Sequence, residues 1–565
     1  MCRLTIVSLI VALLAACAPR STRPVPSMTG SSRPPNVLLV ITDDQGYGDL
    51  GFTGNRAIHT PHLDGLARDG VALRRFYVAP VCSPTRASLL TGRYNYRTGV
   101  VDTYLGRSMM RPEEVTLAEA LAAAGYRTGI FGKWHLGDNA PMRPTDQGFQ
   151  MALTHKGGGI AQPSDPPGGD GYFDPTVYDN ERPRKARGYC TDVFTDGALA
   201  FIDRNDPRPF FAYVAYNAPH DPLQAPEPHL SHYRKMGLDE TTARVYAMVS
   251  NVDDNVGRML ARLAARGLDR DTLVIFLTDN GPAHRGRYNA GLRGHKGSVF
   301  DGGIRTVSLL RWPAGRLTGG QVFDGPAAHI DLFPTVLEAT RTRAPAPIDG
   351  RSLLAALQGR AAWPDRALFF QWHRGDSPEL GRAFAVRGPR YKLVSPENKD
   401  PAQRRMLLFD MVRDPGETTD LAATHPQQVG GMRTAYETWF REVTSSLQAG
   451  APRIQIGHAQ ENPAMLTRQD WRGPLAGWAD DSIGHWDLDA AAGRYDLRVR
   501  FAALATAAQL RVQVGGAART VSLPAAATEH RFQDVAIPAG ATRLEAVLDL
   551  DPGSRGVTHV EVLRR

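Results

Sequence analysis

The sequence predicts an α/β fold: a mostly parallel central sheet sandwiched by helices, then a small antiparallel α+β subdomain and a C-terminal β-sandwich. Apolar runs of strand length alternate with helical patterns up to about residue 340, the order that builds a parallel sheet. Four of those runs end in polar, chemistry-bearing residues. Beyond residue 446 the pattern changes to short β-rich segments with Gly and Pro turns between them.

The chain has 565 residues, enough for about two or three domains, and 22% of them are charged, with no long low-complexity tract. It opens with Met1-Cys2-Arg3 and an apolar run over 4–16 ending Leu14-Ala15-Ala16-Cys17. That run is too short to span a membrane and suits a signal peptide. Leu-Ala-Ala-Cys also resembles the bacterial lipobox, which implies cleavage before Cys17 and lipid attachment to it. The expected protein is exported and lipid-anchored, periplasmic or at the outer membrane. Residues 18–35, rich in Ser, Pro and Arg, read as a tether. The catalytic unit is expected over 36–340, a subdomain over 341–445 and the sandwich over 446–565.

Residues 36–42, with Val37-Leu38-Leu39-Val40-Ile41 inside, have the length and branching of a strand buried on both faces, and Asp43-Asp44 follow. Residues 116–124 start with a Thr-x-x-Glu capping box and stop at Gly125, so they read as a helix. A strand over 126–131 then runs into Gly132-Lys133-Trp134-His135. Residues 210–216 form an apolar strand leading to Asn217-Ala218-Pro219-His220, 253–266 carry helical spacing, and 272–278 form another strand ending at Asp279-Asn280. Open α/β sheets place ligands at the C-terminal ends of their strands, so Asp43, Asp44, Lys133, His135, His220, Asp279 and Asn280 are expected at one edge. Singly, each has an ordinary explanation as a cap or a satisfied core residue; together they point to a site.

Later segments follow the same logic. Residues 322–337 read as a closing strand and helix, and short strands at 366–372, 384–387, 391–394 and 407–410 with a helix over 427–443 form the subdomain. Segments at 495–501, 509–514, 520–523, 543–550 and 557–563 build the sandwich, either a carbohydrate-binding module or a packing domain; Trp471, Trp478 and Trp486 are too scattered to decide.

The stretch Cys82-Ser83-Pro84-Thr85-Arg86-Ala87-Ser88-Leu89-Leu90-Thr91-Gly92-Arg93 carries the most chemistry. Proline at the first helical position and glycine past the last place Cys82 just ahead of a helix N-terminus, where unpaired N–H groups favour negative charge and Arg86 adds a cation. A buried free thiol and a disulfide to Cys190 are the alternatives. Cys2 leaves with the signal and Cys17 is lipidated, so the four cysteines make no disulfide framework.

Cys-x-Pro-x-Arg followed by Leu-Thr-Gly-Arg resembles the signature of the type I sulfatases, and the chain resembles that family over about 36–445. The motifs Gly-Lys-Trp-His-Leu-Gly, Ala-Pro-His, and Arg-Gly-His-Lys-Gly-Ser with Asp301-Gly302-Gly303-Ile304-Arg305 behind it extend the match. The resemblance implies an alkaline-phosphatase-like fold and a sulfuric ester hydrolase in which a maturation enzyme converts Cys82 to formylglycine. By the same resemblance a cation sits on Asp43, Asp44, residue 82, Asp279 and Asn280. These are hard oxygen donors on separate loops, which favour Ca²⁺ over Mg²⁺. The family implies that a hydroxyl of the residue 82 hydrate attacks sulfur while Lys296 and His220 assist the leaving oxygen. Lys133 would hold a sulfate oxygen, Arg86 would stabilise the hydrate, and His135 would take the proton that expels sulfate. His155 and Lys156, in a His-Lys-Gly-Gly-Gly loop, and His284, Arg285 and Arg287 are candidates for holding the rest of the substrate.

A formal charge of +8 and a pI near 9.3 suit an anionic partner, a sulfated small molecule or glycan. The densest basic run, 182–187, reads as a solvated loop, and no nucleic-acid partner is expected. Rival readings are a phosphonate monoester or phosphodiester hydrolase of the same superfamily, or a lipid-anchored polyanion-binding protein with an inactive site.

Overall fold

A computed structural model describes residues 33–163, 165, 171–345 and 347–565. The signal segment, Cys17 and the tether up to residue 32 lie outside the described residues.

The central sheet has eleven strands. In chain order they are β1 (Asn36–Thr42), β2 (Val71–Tyr77), β3 (Arg127–Lys133), β4 (Met151–His155), β5 (Thr176–Asp179), β6 (Arg182–Lys185), β7 (Phe210–Ala215), β8 (Thr272–Thr278), β9 (Arg305–Arg311), β10 (Gln321–Phe323) and β11 (Ala327–Ala328). Across the sheet the order is β10-β2-β9-β8-β1-β7-β3-β4-β5-β6, with β11 also on β2. The core pairings β8–β1, β1–β7, β7–β3 and β3–β4 are all parallel. The four polar-ended strands of the sequence are therefore side by side, in the order β8-β1-β7-β3.

Both faces are covered, so these strands are apolar without alternation. Leu38 and Val40 of β1 pack with α1 (Pro61–Asp69), α4 (Cys190–Ile202), α5 (Glu227–Lys235) and α6 (Glu240–Ala265). Val37, Leu39 and Ile41 face the opposite way, onto α2 (Cys82–Thr91), α3 (Leu117–Ala123) and the helix Leu332–Thr340. The capping box at α3 is present: Glu119 N donates to Thr116 Oγ1 (3.1 Å) and Thr116 N to Glu119 Oε2 (2.8 Å).

The structure corrects the sequence reading at three elements. Helix α2 begins at Cys82 itself, so Pro84 is its third residue and Cys82 lies within the first turn. Helix α6 begins at Glu240, well before the expected 253, capped by Asp239, whose carboxylate accepts from Thr242 N at 3.0 Å. The polar residues Thr241, Thr242 and Arg244 break up the apolar spacing of its first turns. Arg182–Lys185 is not a loop but an exposed edge strand paired antiparallel with β5. The alternative disulfide is not formed, since Cys82 and Cys190 are both free and buried.

Next comes a four-stranded antiparallel sheet of β12 (Leu368–Gln371), β13 (Phe384–Arg387), β14 (Tyr391–Ser395) and β15 (Leu407–Asp410), under the helix Pro426–Thr444. Phe384 stacks on Tyr436 of that helix, with ring centroids 3.7 Å apart. A six-stranded and a four-stranded sheet built from residues 454–564 then face each other across a core containing Trp471 and Trp486. Those tryptophans are structural. Leu105, Met109 and Met142 of the preceding region are buried in the same core, so the sandwich is packed into the rest of the chain.

Candidate active site

The C-terminal ends of β1, β3, β7 and β8 bring their polar residues to one pocket, and α2 points its first turn into it. Each strand delivers its residues because its apolar run stops there: Asp43-Asp44 after β1, Lys133 to His135 from β3, His220 after β7, Asp279-Asn280 after β8. Gly281 then lets the chain turn, since a Cβ there would sit 2.0 Å from the Gly302 carbonyl oxygen.

The centre is dry and densely charged. Asp43, Asp279, Asn280, Arg86 and Lys133 are each fully buried. Arg86 donates to Asp279 Oδ2 through Nη2 (2.8 Å) and Nε (3.2 Å), and through Nη1 to the Lys133 carbonyl (3.3 Å). Lys133 Nζ donates to Asp43 Oδ2, and Lys296 Nζ lies 2.6 Å from Asp44 Oδ1. Burial opposes ionisation of Asp43, but Lys133, His220 and Arg86 outweigh it and hold the carboxyl well below the usual range. Asp279 goes the other way: burial and the Asp43 charge push it up to about 7 despite Arg86. Burial also raises the Cys82 thiol, so the sulfur is protonated at neutral pH and is not an activated thiolate.

Two buried oxygens in this centre, Asp43 Oδ1 and Asn280 Oδ1, accept no hydrogen bond among the described residues. Ligand atoms of Asp43, Cys82 and Asp279 lie within 4.8 Å of one another, as do those of Asp43, Asp44 and His220. Orphaned buried oxygens are costly, and a cluster of them with carboxylates fits a hard cation. Asn280 is aligned for this by donating Nδ2 to Asp44 Oδ1 (2.8 Å), and Asp44 N donates to Asp279 Oδ1 (3.2 Å).

The two histidines are held in defined tautomers. His135 Nε2 donates to the Thr103 carbonyl (2.6 Å), which leaves its buried Nδ1 without a partner among the described residues. Burial, Lys133 and Arg86 keep the ring neutral, well below the usual histidine range. His220 Nδ1 donates to the Asp221 carbonyl (2.8 Å), so Nε2, 3.7 Å from Asp44 Oδ2, is the free nitrogen. Burial and Lys296 lower its pKa as well. Both free nitrogens are set to accept a proton.

The outer candidates separate. His155 is bound between Asp165 and Asn217, and His284 Nε2 meets Asp221 Oδ2 at 3.1 Å near the rim. Lys156 is buried, pairing with Glu181 at 3.0 Å and donating to the Asp138 carbonyl at 2.9 Å. Arg287 is also buried, on Asp49 at 2.8 Å, and Arg285 meets His295. Lys156 and Arg287 are thus engaged by the scaffold.

Sequence reasoning missed the residues that flank the pocket. A cavity of about 520 Å³ opens beside Lys296, lined by His295, Trp372 and Arg374. Trp372 approaches the lysine's neighbour closely: a Cβ on Gly297 would lie 2.9 Å from Trp372 Cζ3. Arg374 and Trp372 both donate to Asp102 Oδ1, at 2.6 and 3.1 Å. No periodicity marks these residues, since they come together only through the packing of the second sheet on the first.

A mixed α/β fold with a large parallel sheet, and a strand-end site of hard acids and fixed cations, define a hydrolase of the alkaline-phosphatase-like class. The family model described as Sulfatase matches residues 35–342, more than half of the chain, which therefore belongs to the type I sulfatases of that superfamily and is a sulfuric ester hydrolase. A second model, N-sulphoglucosamine sulphohydrolase, C-terminal, matches residues 295–432. The N-acetylgalactosamine-6-sulfatase of Canis lupus familiaris is 31% identical over 495 residues, 79% of this chain and 91% of the relative. Human arylsulfatase A is 33% identical, over 69% of this chain and 84% of its own. Among solved structures, Ps i-CgsB in complex with a neocarrahexaose has a TM-score of 0.65 at 28% identity, covering 72% of this chain and 93% of that one.

Proposed function

We infer that this sulfatase removes sulfate from a sulfated carbohydrate, using formylglycine at position 82 and Ca²⁺. The observation that carries the chemistry is the pair of orphaned oxygens, Asp43 Oδ1 and Asn280 Oδ1, beside Cys82 and Asp279. Asp43, Asp44, Asp279 and Asn280 would hold the cation, with an oxygen of residue 82. The cation would neutralise charge on the sulfonate oxygens, and the aldehyde hydrate would supply the attacking hydroxyl.

The remaining steps fall to the chain's own side chains. Lys133 orients a sulfate oxygen, and Arg86 fixes Asp279 against it. Lys296 and His220 stand where the ester oxygen leaves and assist its departure, the Lys296 ammonium carrying the proton that this oxygen takes up. His135 Nδ1 takes the proton from residue 82 when sulfate departs. Support for a carbohydrate comes from the Trp372, Arg374 and His295 cavity: an aromatic face suits a sugar ring, and the Arg374 guanidinium suits a further sulfate. The relatives named for N-acetylgalactosamine-6-sulfate and the neocarrahexaose complex agree. Export and a lipid on Cys17 belong to the same reading and would place the enzyme where polysaccharide fragments arrive.

The mass of tryptic peptide 76–86 from protein made in its native host tests the central claim. Loss of sulfur and two hydrogens with gain of one oxygen is expected. Cys82→Ala should then lower turnover of 4-nitrophenyl sulfate by about 10³-fold or more. Intact cysteine in active protein would overturn the formylglycine reading.

A further inference from the structure

A second cavity, of about 340 Å³, lies between the catalytic region and the β-sandwich. Its volume falls in the range of small-ligand sites, roughly 300–1,000 Å³. The catalytic region contributes Gln162; the sandwich contributes Trp478, Arg555 and His559. Three polar atoms in this lining, Gln162 Oε1, Trp478 Nε1 and His559 Nε2, are buried and have no hydrogen-bond partner among the described residues. Unpaired buried polar atoms are costly, and three of the side chains that line this cavity, with Asp165 and Asp480 beside them, each carry one; turned toward the cavity, these atoms would be satisfied by a hydroxylated ligand.

Gln162 connects this cavity to the active site. A Cβ on Gly159 would lie 2.6 Å from His220 Cε1 and 2.8 Å from Gln162 Nε2. One on Gly158 would lie 2.9 Å both from His135 Nε2 and from Gln162 Oε1. The Gln162 amide therefore sits one glycine away from both histidines. A line of rings and cations also joins this cavity to the one beside Lys296. The Arg374 guanidinium lies 5.1 Å from the Trp372 ring centroid and 4.6 Å from that of Tyr104, and Tyr104 meets Trp478 edge-on at 4.9 Å.

We propose that the β-sandwich completes a second sugar subsite of the active site, taking the unit next to the one that loses sulfate in a sulfated oligosaccharide. In this arrangement the indole of Trp478 covers a sugar face, and Gln162, His559 and the indole N–H bind hydroxyls. Arg555, which among the described residues spends Nη2 on the Ala502 carbonyl (3.1 Å), meets a sulfate on the flanking unit. The proposal rests on the carbohydrate reading above and goes beyond it, because it makes the enzyme one for chains and not for single sugars.

The test uses the full-length matured enzyme. Values of kcat/KM are measured for 4-nitrophenyl sulfate, N-acetylgalactosamine 6-sulfate, a chondroitin 6-sulfate tetrasaccharide and an ι-carrageenan tetrasaccharide. Wild type should favour one tetrasaccharide over the monosaccharide. Trp478→Ala should reduce the ratio of tetrasaccharide to aryl sulfate kcat/KM by about tenfold or more, the size expected for truncating an aromatic anchor. Arg555→Ala, at the cavity's rim, should lower the same ratio, and it carries the test if Trp478→Ala proves unstable. Turnover of the carbohydrates with no preference for the longer ones, or variants that keep the wild-type ratio, would overturn the subsite and leave the carbohydrate reading standing. Turnover of 4-nitrophenyl sulfate alone, with no binding of any carbohydrate by calorimetry, would overturn both.

Discussion

At the scale of single residues, the site's charges are balanced for an occupant. Asp43, Asp44 and Asp279 are crowded in a buried centre against Lys133, Lys296 and Arg86, three acids to three cations, yet Asp43 Oδ1 and Asn280 Oδ1 have no hydrogen-bond donor among the described residues. A ligand that binds only the folded state stabilises it by mass action, about 2.7 kcal/mol at a hundred times its Kd. Ca²⁺ added to chelator-treated protein should therefore raise the melting midpoint by several degrees, with a smaller rise for Mg²⁺ at equal concentration. Asp279→Ala should abolish the response, and an unchanged midpoint in wild type would remove the cation site. This part of the site was legible in the sequence because each residue ends an apolar run, and strand ends in a parallel sheet share an edge. Lys156 and Arg287 were not separable in the same way. Nothing local distinguishes a substrate-facing cation from one bound to Glu181 or Asp49, since both partners arrive from distant segments.

At the scale of elements, long apolar strands were readable, and their helical cover only in part: α3 through its capping box and the second half of α6 through its spacing. β1, β7 and β8 carry period-free apolar runs that only a doubly covered strand tolerates, whereas α1, α4 and α5 mix polar and apolar residues in short lengths. α1 illustrates how tertiary contacts decide such helices. Its N-cap, Thr60, makes no side-chain capping bond; the buried Asp253 of α6 accepts from His62 N (3.0 Å) and Leu63 N (2.7 Å) in its place. Asp253→Ala would leave two N–H groups at a buried helix end without an acceptor. The expected cost is about 2–3 kcal/mol of stability, less for Asp253→Asn, which keeps one acceptor oxygen. Thermal melting should show that ranking with kcat nearly unchanged; equal midpoints for Ala and wild type would mean that Asp253 does not cap α1.

At the scale of the whole molecule, the sandwich is fastened to the catalytic loops by polar contacts as well as by its core. Glu461 accepts from Ala140 N (2.7 Å), Arg143 donates to the Gln460 carbonyl (2.8 Å), and Gln469 donates to the Thr103 carbonyl (2.9 Å), the same oxygen that fixes His135. The seam also buries two acids. Asp138 N donates to Asp470 Oδ2 at 3.2 Å, and both carboxyls are nearly inaccessible. Burial pushes Asp470 up to about 6, and burial with the neighbouring Asp470 charge pushes Asp138 well above the carboxylate range. Folded, each group holds its proton more tightly than the ordinary value of 3.8. The stability they contribute is therefore fully present below that value and is lost as pH rises, for Asp470 through about 6. For Asp470 the loss amounts to about 3 kcal/mol at most, from the 1.36 kcal/mol carried by each pKa unit. Asp470→Asn removes the titration while keeping an acceptor oxygen for Asp138 N. Between about pH 5 and about pH 7.5, the wild-type melting midpoint should fall relative to that of the variant. Parallel midpoints across that range would show that the seam is not a site of pH-dependent stability.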